Sequence, residues 1–341
     1  MRGAAVAIVA AAALTAAGAY GYWAVRSTTV RDHPVAPATP TRKAPHLARP
    51  SFLIPAPSPS QISPPAPTGD SDAGSRLSIA AEQTGIAWAA TESPHIGPGI
   101  QTYTGAGQCT ANFVFTDDAH NVYIGQAAHC ASTGTSKDTN GCTSVSRPLG
   151  TPVTFNRGGR PMSPGEVVGG GELIYSSWLT MQNTHEQDSN TCAYNDFALV
   201  KADMTTAAEV NPTLPYWGGP SGINTTGLPQ GTTVHSYGNS SLRFGAAPLS
   251  PQTGTAQAPD PSATGWMHSL TSHTFGIPGD SGSAYLDSAG KALGTLSTLG
   301  LGIPIINNIG DIAHELAYAQ EHSGISGLRL VLGTAGFTPS R

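Results

Sequence analysis

The sequence predicts an all-β fold, a sandwich or barrel of short strands with one helix near its end. Three observations predict it. Glycine and proline are abundant, 41 and 28 of 341 residues, and both favour turns and short strands over long helices. Short apolar runs separated by Gly, Pro, Asn and Asp recur at 112–115, 122–124, 173–175, 197–200, 233–237, 282–286 and 292–297, as strands in a sandwich or barrel do. Only one stretch, 312–321, carries a persuasive helical period. No internal repeat is visible.

The elements follow in chain order. Arg2 precedes an uncharged run over 3–25. As a helix rising ~1.5 Å per residue, that run could cross a hydrocarbon core of ~30 Å. Residues 4–14 also form a compact apolar segment, and Ala17-Gly18-Ala19 resembles a small-residue cleavage site. Residues 1–25 therefore read as a cleaved export signal or a retained membrane anchor. Residues 26–99 form a lead-in rich in Pro, Ala and Ser. From 26 to about 74 it has almost no apolar periodicity, too little to offset its ordering entropy, and its prolines favour an extended spacer. Within it, 77–90 reads as a short helix or an irregular approach. The compact domain reads as 100–341. Its late helix places Ile312, Leu316 and Ala319 on one face, with Asp311 as N-cap and Gly324 after the last turn.

Bulk properties exclude several classes. Charged residues make up 11% and the formal net charge is −5, so no basic stripe offers itself to nucleic acid. No Gly-rich phosphate loop follows a strand and opens a helix, which disfavours a nucleotide enzyme. The four cysteines, Cys109, Cys130, Cys142 and Cys192, contain no Cys-x-x-Cys pair. His185, His235, His268, His273, His314 and His322 are scattered without metal-ligand spacing. No metal or cofactor is expected. With an export signal, the cysteines read as two disulfides, for which three pairings are open.

Three residues carry chemistry. Ser281 lies in Gly279-Asp280-Ser281-Gly282-Ser283. A serine hydroxyl needs a base to become a nucleophile near neutral pH. Gly279 gives the backbone freedom to aim the N–H groups of Gly279 and Ser281 at one point, as an oxyanion requires. His129 follows the strand at 122–124, flanked by small residues and Cys130. Its ordinary pKa of ~6.5 suits a general base. Asp196 opens the apolar run at 197–200, where a partly buried carboxylate needs a partner; an imidazole N–H would serve. Each also has a plain structural reading: a Gly/Ser turn, a histidine filling space beside a disulfide, an Asp capping a strand.

Together, in the order His129, Asp196, Ser281, they resemble the chymotrypsin-like (trypsin-like) serine peptidases of bacterial secreted type. The motifs are Ala127-Ala128-His129-Cys130, Asp196-Phe197-Ala198-Leu199 and Gly279-Asp280-Ser281-Gly282. The resemblance covers roughly 103–324. It implies two six-stranded antiparallel β-barrels followed by a C-terminal helix, with His129 and Asp196 from the first barrel and Ser281 from the second. It implies the bridges Cys109–Cys130 and Cys142–Cys192. It also implies that Ser297, Thr298 and Leu299 line the substrate cleft and pair with a peptide. The function implied is an exported serine endopeptidase acting on protein or peptide substrates through an acyl-enzyme, secreted or held in the cell envelope, monomeric, and anchored to a membrane if 3–25 is retained. The alternative is a catalytically silent protease-fold module for binding or adhesion at the cell surface.

The sequence departs from the family pattern in places. Ile277 stands where a cysteine is common, and 299–308 lacks the partner cysteine. Phe275 falls near the base of the specificity pocket, which disfavours cleavage after Arg or Lys, and Leu296 stands where Glu-specific relatives carry histidine. A shallow apolar pocket is expected. No Ile-Val-Gly-Gly start precedes Cys109, so Asp280, which would pair with the freed N-terminus in animal enzymes, has no partner visible in the sequence.

Overall fold

A computed structural model describes residues 84–91, 95–135, 139–272, 274–300 and 304–339. The proposed signal or anchor at 1–25, most of the lead-in at 26–99 and His273 lie outside the described residues. Among those described, no helix is long and apolar enough to cross a membrane.

The chain is mostly β, in two antiparallel sheets. The first contains β1 (Gln101–Thr104), β2 (Gly107–Thr110), β3 (Val114–Thr116), β4 (Val122–Gln126), β5 (Pro152–Arg157), β6 (Glu166–Ser176) and β7 (Ala198–Ala202). The second contains β8 (Thr233–Tyr237), β9 (Pro251–Ala256), β10 (Met267–Ser272), β11 (Ala284–Leu286), β12 (Ala292–Gly300) and β13 (Ile306–Asp311). It closes into a six-stranded barrel in the order β10-β13-β12-β11-β8-β9. A two-residue strand, β14 (Arg329–Leu330), returns to the first sheet and makes it eight-stranded, in the order β14-β3-β4-β7-β6-β5-β1-β2. The barrel matches the expected strand count; the first sheet exceeds it because short strands extend both of its ends.

Apolar content decides which strands lie deepest. β4 is buried along its whole length, and β7 is buried except at Lys201. Both supply Val, Ile or Leu to faces covered on either side, where an apolar run replaces strict alternation. Ile124, Val153, Phe155, Leu173 and Val200 pack under the first sheet. Val234, Leu270, Tyr285, Leu293 and Ile309 fill the barrel. A third cluster joins Phe113, Phe197 and Leu199 of the first sheet region to Leu286 of the barrel and Leu316 of the last helix.

That last helix runs Ile312–His322, and the Asp311 side chain caps it by accepting from the His314 amide. The body has further helices, which corrects the expectation of a single late one. They are α1 (Ser177–Thr184), α2 (Ser189–Tyr194) and α3 (Met204–Ala207), making the C-terminal helix α4. The reason is legible afterwards. α1 buries only Ser177, Trp178 and Met181, too sparse a stripe to show a period. α2 is polar and rests on its cap, Asp188 Oδ1 accepting from Thr191 N at 2.7 Å. Packing also begins before β1: Ile96 is buried and exchanges backbone bonds with Glu209 and Asn211 at 2.8 Å each.

Candidate active site

The site forms where β4, β7, β12 and the turn before β11 meet. His129 sits in a one-turn 3-10 helix, Ala128–Ala131, directly after β4. Two devices hold that turn. The first is a disulfide from Cys130 to Cys109 on β2, with Cα atoms 6.0 Å apart. The second is Asp196, whose main-chain carbonyl accepts from Ala128 N at 3.1 Å and whose Oδ1 accepts from His129 N at 2.8 Å. The other carboxylate oxygen, Oδ2, lies 2.6 Å from His129 Nδ1. A carboxylate there makes Nδ1 the protonated nitrogen and leaves Nε2 as the acceptor.

Asp196 is held from three further sides. Ser297 Oγ donates to its Oδ2 at 2.6 Å. Ser297 owes its direction to a β-bulge: in the β12–β13 ladder Leu296 opposes Ile309 and Thr298 opposes Asn308, which leaves Ser297 unopposed. A bulge re-aims a side chain in this way beside a functional site. Glu315 of α4 accepts from Asp196 N at 3.2 Å through its Oε1. A second disulfide, Cys142–Cys192, ties α2 down four residues before Asp196. Both bridges have the pairing implied by the family resemblance.

Ser281 lies in a turn that only its glycines allow. Gly279 has φ +96 and Gly282 φ +85, in the region that side chains resist. Space dictates Gly282 as well: a Cβ there would lie 2.7 Å from Thr110 O and 3.0 Å from Ala127 N. The turn is therefore seated against the end of β2 and against the residue two before His129. Thr110 N donates to Ser281 O at 2.8 Å, while Thr110 Oγ1 and Gln108 Nε2 donate to Gly279 O at 2.8 and 3.0 Å. Along the turn, the amides of Gly276, Ile277, Asp280, Gly282 and Ser283 all have intramolecular acceptors. Among the described residues, none takes the amides of Gly279 or Ser281. These are the two N–H groups an oxyanion would need.

Asp280, left without a partner by the sequence, is fully buried and forms an ion pair with Arg243. Its Oδ1 also accepts from Ser240 N at 2.9 Å, and its Oδ2 from Ile277 N at 3.1 Å and Gln252 Nε2 at 3.4 Å. Arg243 was missed in the sequence. The available signal was its isolation: it is the only Lys or Arg between Lys201 and Lys291. A lone cation in so weakly charged a stretch invites a search for a buried anion.

Phe275 is half-buried, and its main-chain oxygen lies 3.4 Å from Arg243 Nη2. Ser297, Thr298 and Leu299 are half-buried on β12. The space beside Gly276 is closed by Leu296 Cδ2 and Leu299 Cδ2, which lie 2.8 and 3.3 Å from where a Cβ would stand. Asn307 is fully buried behind them. It accepts from Gly276 N at 3.1 Å and donates to Ser272 Oγ and Tyr285 OH at 3.0 and 2.9 Å. Cys109, His129 and Cys130 bring three potential ligand atoms within 4.8 Å of one another, but the disulfide consumes both sulfurs, and a metal binds thiolate.

Neither a protein-family model nor a curated protein sequence matches the chain. Among solved structures it is similar to Thermobifida fusca protease A, at 17% identity over 70% of this chain and 99% of that one, with a TM-score of 0.42. It is similar to Nocardiopsis protease at 17% identity over 69% and 98%, TM-score 0.40. It is similar to Cellulomonas bogoriensis chymotrypsin at 16% identity over 69% and 98%, TM-score 0.38. These are similarities of fold at low sequence identity.

Proposed function

We propose that the chain is an exported serine endopeptidase with Ser281 as nucleophile, His129 as general base and acid, and Asp196 as the orienting carboxylate. The observation that carries this reading is the grip of Asp196 on His129: one carboxylate oxygen on the main-chain N–H at 2.8 Å and the other on Nδ1 at 2.6 Å. That grip fixes ring orientation and tautomer together, as a base facing a serine requires. Ser281 attacks a peptide carbonyl and passes its proton to His129 Nε2. The amides of Gly279 and Ser281 receive the oxyanion. His129 then protonates the leaving amine, and water repeats the sequence to release the acyl group.

Ser297, Thr298 and Leu299 present a strand edge to the peptide. Phe275, Leu296 and Leu299 give the pocket an apolar lining without an acidic group, which favours small or apolar side chains before the scissile bond. Two disulfides suit an oxidising, extracytoplasmic compartment. The test is labelling with a fluorophosphonate alongside casein hydrolysis. Wild-type protein is expected to label and hydrolyse, and Ser281→Ala to do neither. Wild-type protein that stays silent in both assays, even after trimming of its N-terminal region, would overturn the proposal.

A further inference from the structure

Behind the triad lies a carboxyl group that the mechanism above does not use. Glu315 stands on the first turn of α4 with no solvent exposure. Its Oε1 accepts from Asp196 N at 3.2 Å, and the space for it is made by Gly310, where a Cβ would lie 2.3 Å from that oxygen. We propose that Glu315 is a positioning residue for the His129–Asp196 pair, anchoring the Asp196 main chain from behind with its carboxyl group. The proposal rests on the endopeptidase reading for its kinetic consequences, though not for its geometry.

The position is specific. Asp196 holds His129 through both carboxylate oxygens, so any shift of its backbone moves the imidazole. Its own N–H, two residues before β7, is taken by Glu315. Ser297 of β12 fixes the carboxylate from the barrel, and Glu315 of α4 fixes the backbone. Asp196 is thus held by two of the elements that follow the Ser281 turn, β12 and α4.

Burial pushes the Glu315 carboxyl well above the usual carboxylate range. The charge of Asp196 adds to this, the bond from Asp196 N opposes it, and Asp311 at the helix start adds a further push. Tyr175 of β6 and Thr295 of β12 lie near enough to Glu315 to interact with it electrostatically. Apart from Asp196 and Asp311, these neighbours are neutral near pH 7. Burial and both neighbouring carboxylates thus favour the uncharged form of Glu315. A second negative charge beside Asp196 would favour the imidazolium form of His129 and leave less of the ring free to take the Ser281 proton.

The experiment compares wild type, Glu315→Gln and Glu315→Leu by kcat, KM, the acid limb of the pH–rate profile, and the NMR resonance of the His129 Nδ1 proton. Glu315→Leu should lower kcat roughly 10- to 100-fold through misplacement of the pair, with KM little changed and the Nδ1 proton resonance shifted. Glu315→Gln keeps the acceptor and the shape. It should recover most of that rate and leave the acid limb and the resonance where they are in wild type. If Glu315→Leu does not fold, Gly310→Ala makes the same test by driving a methyl group into Oε1. Unchanged kcat and resonance in the leucine or alanine variant would overturn the proposal, as would an acid limb displaced downward in Glu315→Gln. If the wild-type chain proves inactive, the resonance arm still decides the matter, so failure of the endopeptidase reading is separable.

Discussion

Replacing Arg243 with methionine strands a carboxylate in the interior, and the structure sets the size of the effect. The Asp280 side chain has no solvent exposure and that of Arg243 only 5%. Removing one partner of a buried ion pair typically costs about 3–5 kcal/mol, because the remaining charge keeps its desolvation penalty without its compensation. Here Asp280 retains the N–H groups of Ser240 and Ile277 and the Gln252 amide. The loss should fall near the lower end, about 3 kcal/mol. Equilibrium urea unfolding with both disulfides intact measures it. Adding Asp280→Asn to Arg243→Met removes the stranded charge, and the double variant should recover at least about 1 kcal/mol of the loss. Labelling by a fluorophosphonate should be slowed in both variants, since Asp280 lies between Gly279 and Ser281 and its carboxylate fixes the turn from inside. The reasoning is refuted if Arg243→Met unfolds at the wild-type urea concentration, or if the double variant is less stable than the single.

Other outcomes follow from the same structure. Asp196→Asn should lower kcat by roughly 10⁴-fold, as the same change does in this type of triad by reversing the tautomer, while urea unfolding shows a fold still formed; near-wild-type turnover would remove Asp196 from the mechanism. Cys109→Ser with Cys130→Ser opens a bridge of sequence separation 21, a loss of roughly 3 kcal/mol on loop entropy, and labelling should slow because the His129 turn loses a tether. His235 is buried between Trp217 and Phe337, with ring centroids at 4.6 and 5.2 Å; burial pushes its imidazole below the usual range against an opposing pull from Asp287. Below a pH of about 6.5 the unfolded chain then takes up a proton that the folded chain refuses until its own lower pKa is reached. Stability should fall with pH across that window. His235→Phe should flatten this fall in urea titrations run at several pH values; an unaltered slope would rule the imidazole out as its cause.

What the sequence made legible divides along physical lines. His129, Asp196 and Ser281 were readable because each sits in a short motif whose neighbours have local reasons to be what they are: glycines where φ is positive, a cysteine where the turn is tied, an apolar strand after the carboxylate. The strand at 233–237 and the helix at 312–321 were readable because their periods are local too. β1, β2, β5, β9, β10, β13 and β14 were not. Pro251–Ala256 reads PQTGTA, and only the closing of the barrel against β8 and β10 makes a strand of it. The bulge at Ser297 is a property of register between β12 and β13, which no single strand encodes.

The same division explains the two charges that the sequence left unassigned. Arg243 lies 37 residues from Asp280, and Glu315 lies 119 residues from Asp196. In a linear reading both belong at the surface, since charged side chains are rarely fully buried without partners. Each is buried because a residue of the candidate site needs what it carries: Asp280 needs a cation, and Asp196 N–H needs an acceptor. The glycines complete the argument. Gly310 leaves space for Glu315 just as Gly238 does for Asp280, whose Oδ1 lies 2.5 Å from where a Cβ would stand. A site of this kind is specified by the three motif residues together with the small residues that allow distant charged groups to reach them. Substitutions at Gly238 or Gly310 should therefore damage the site although neither touches it.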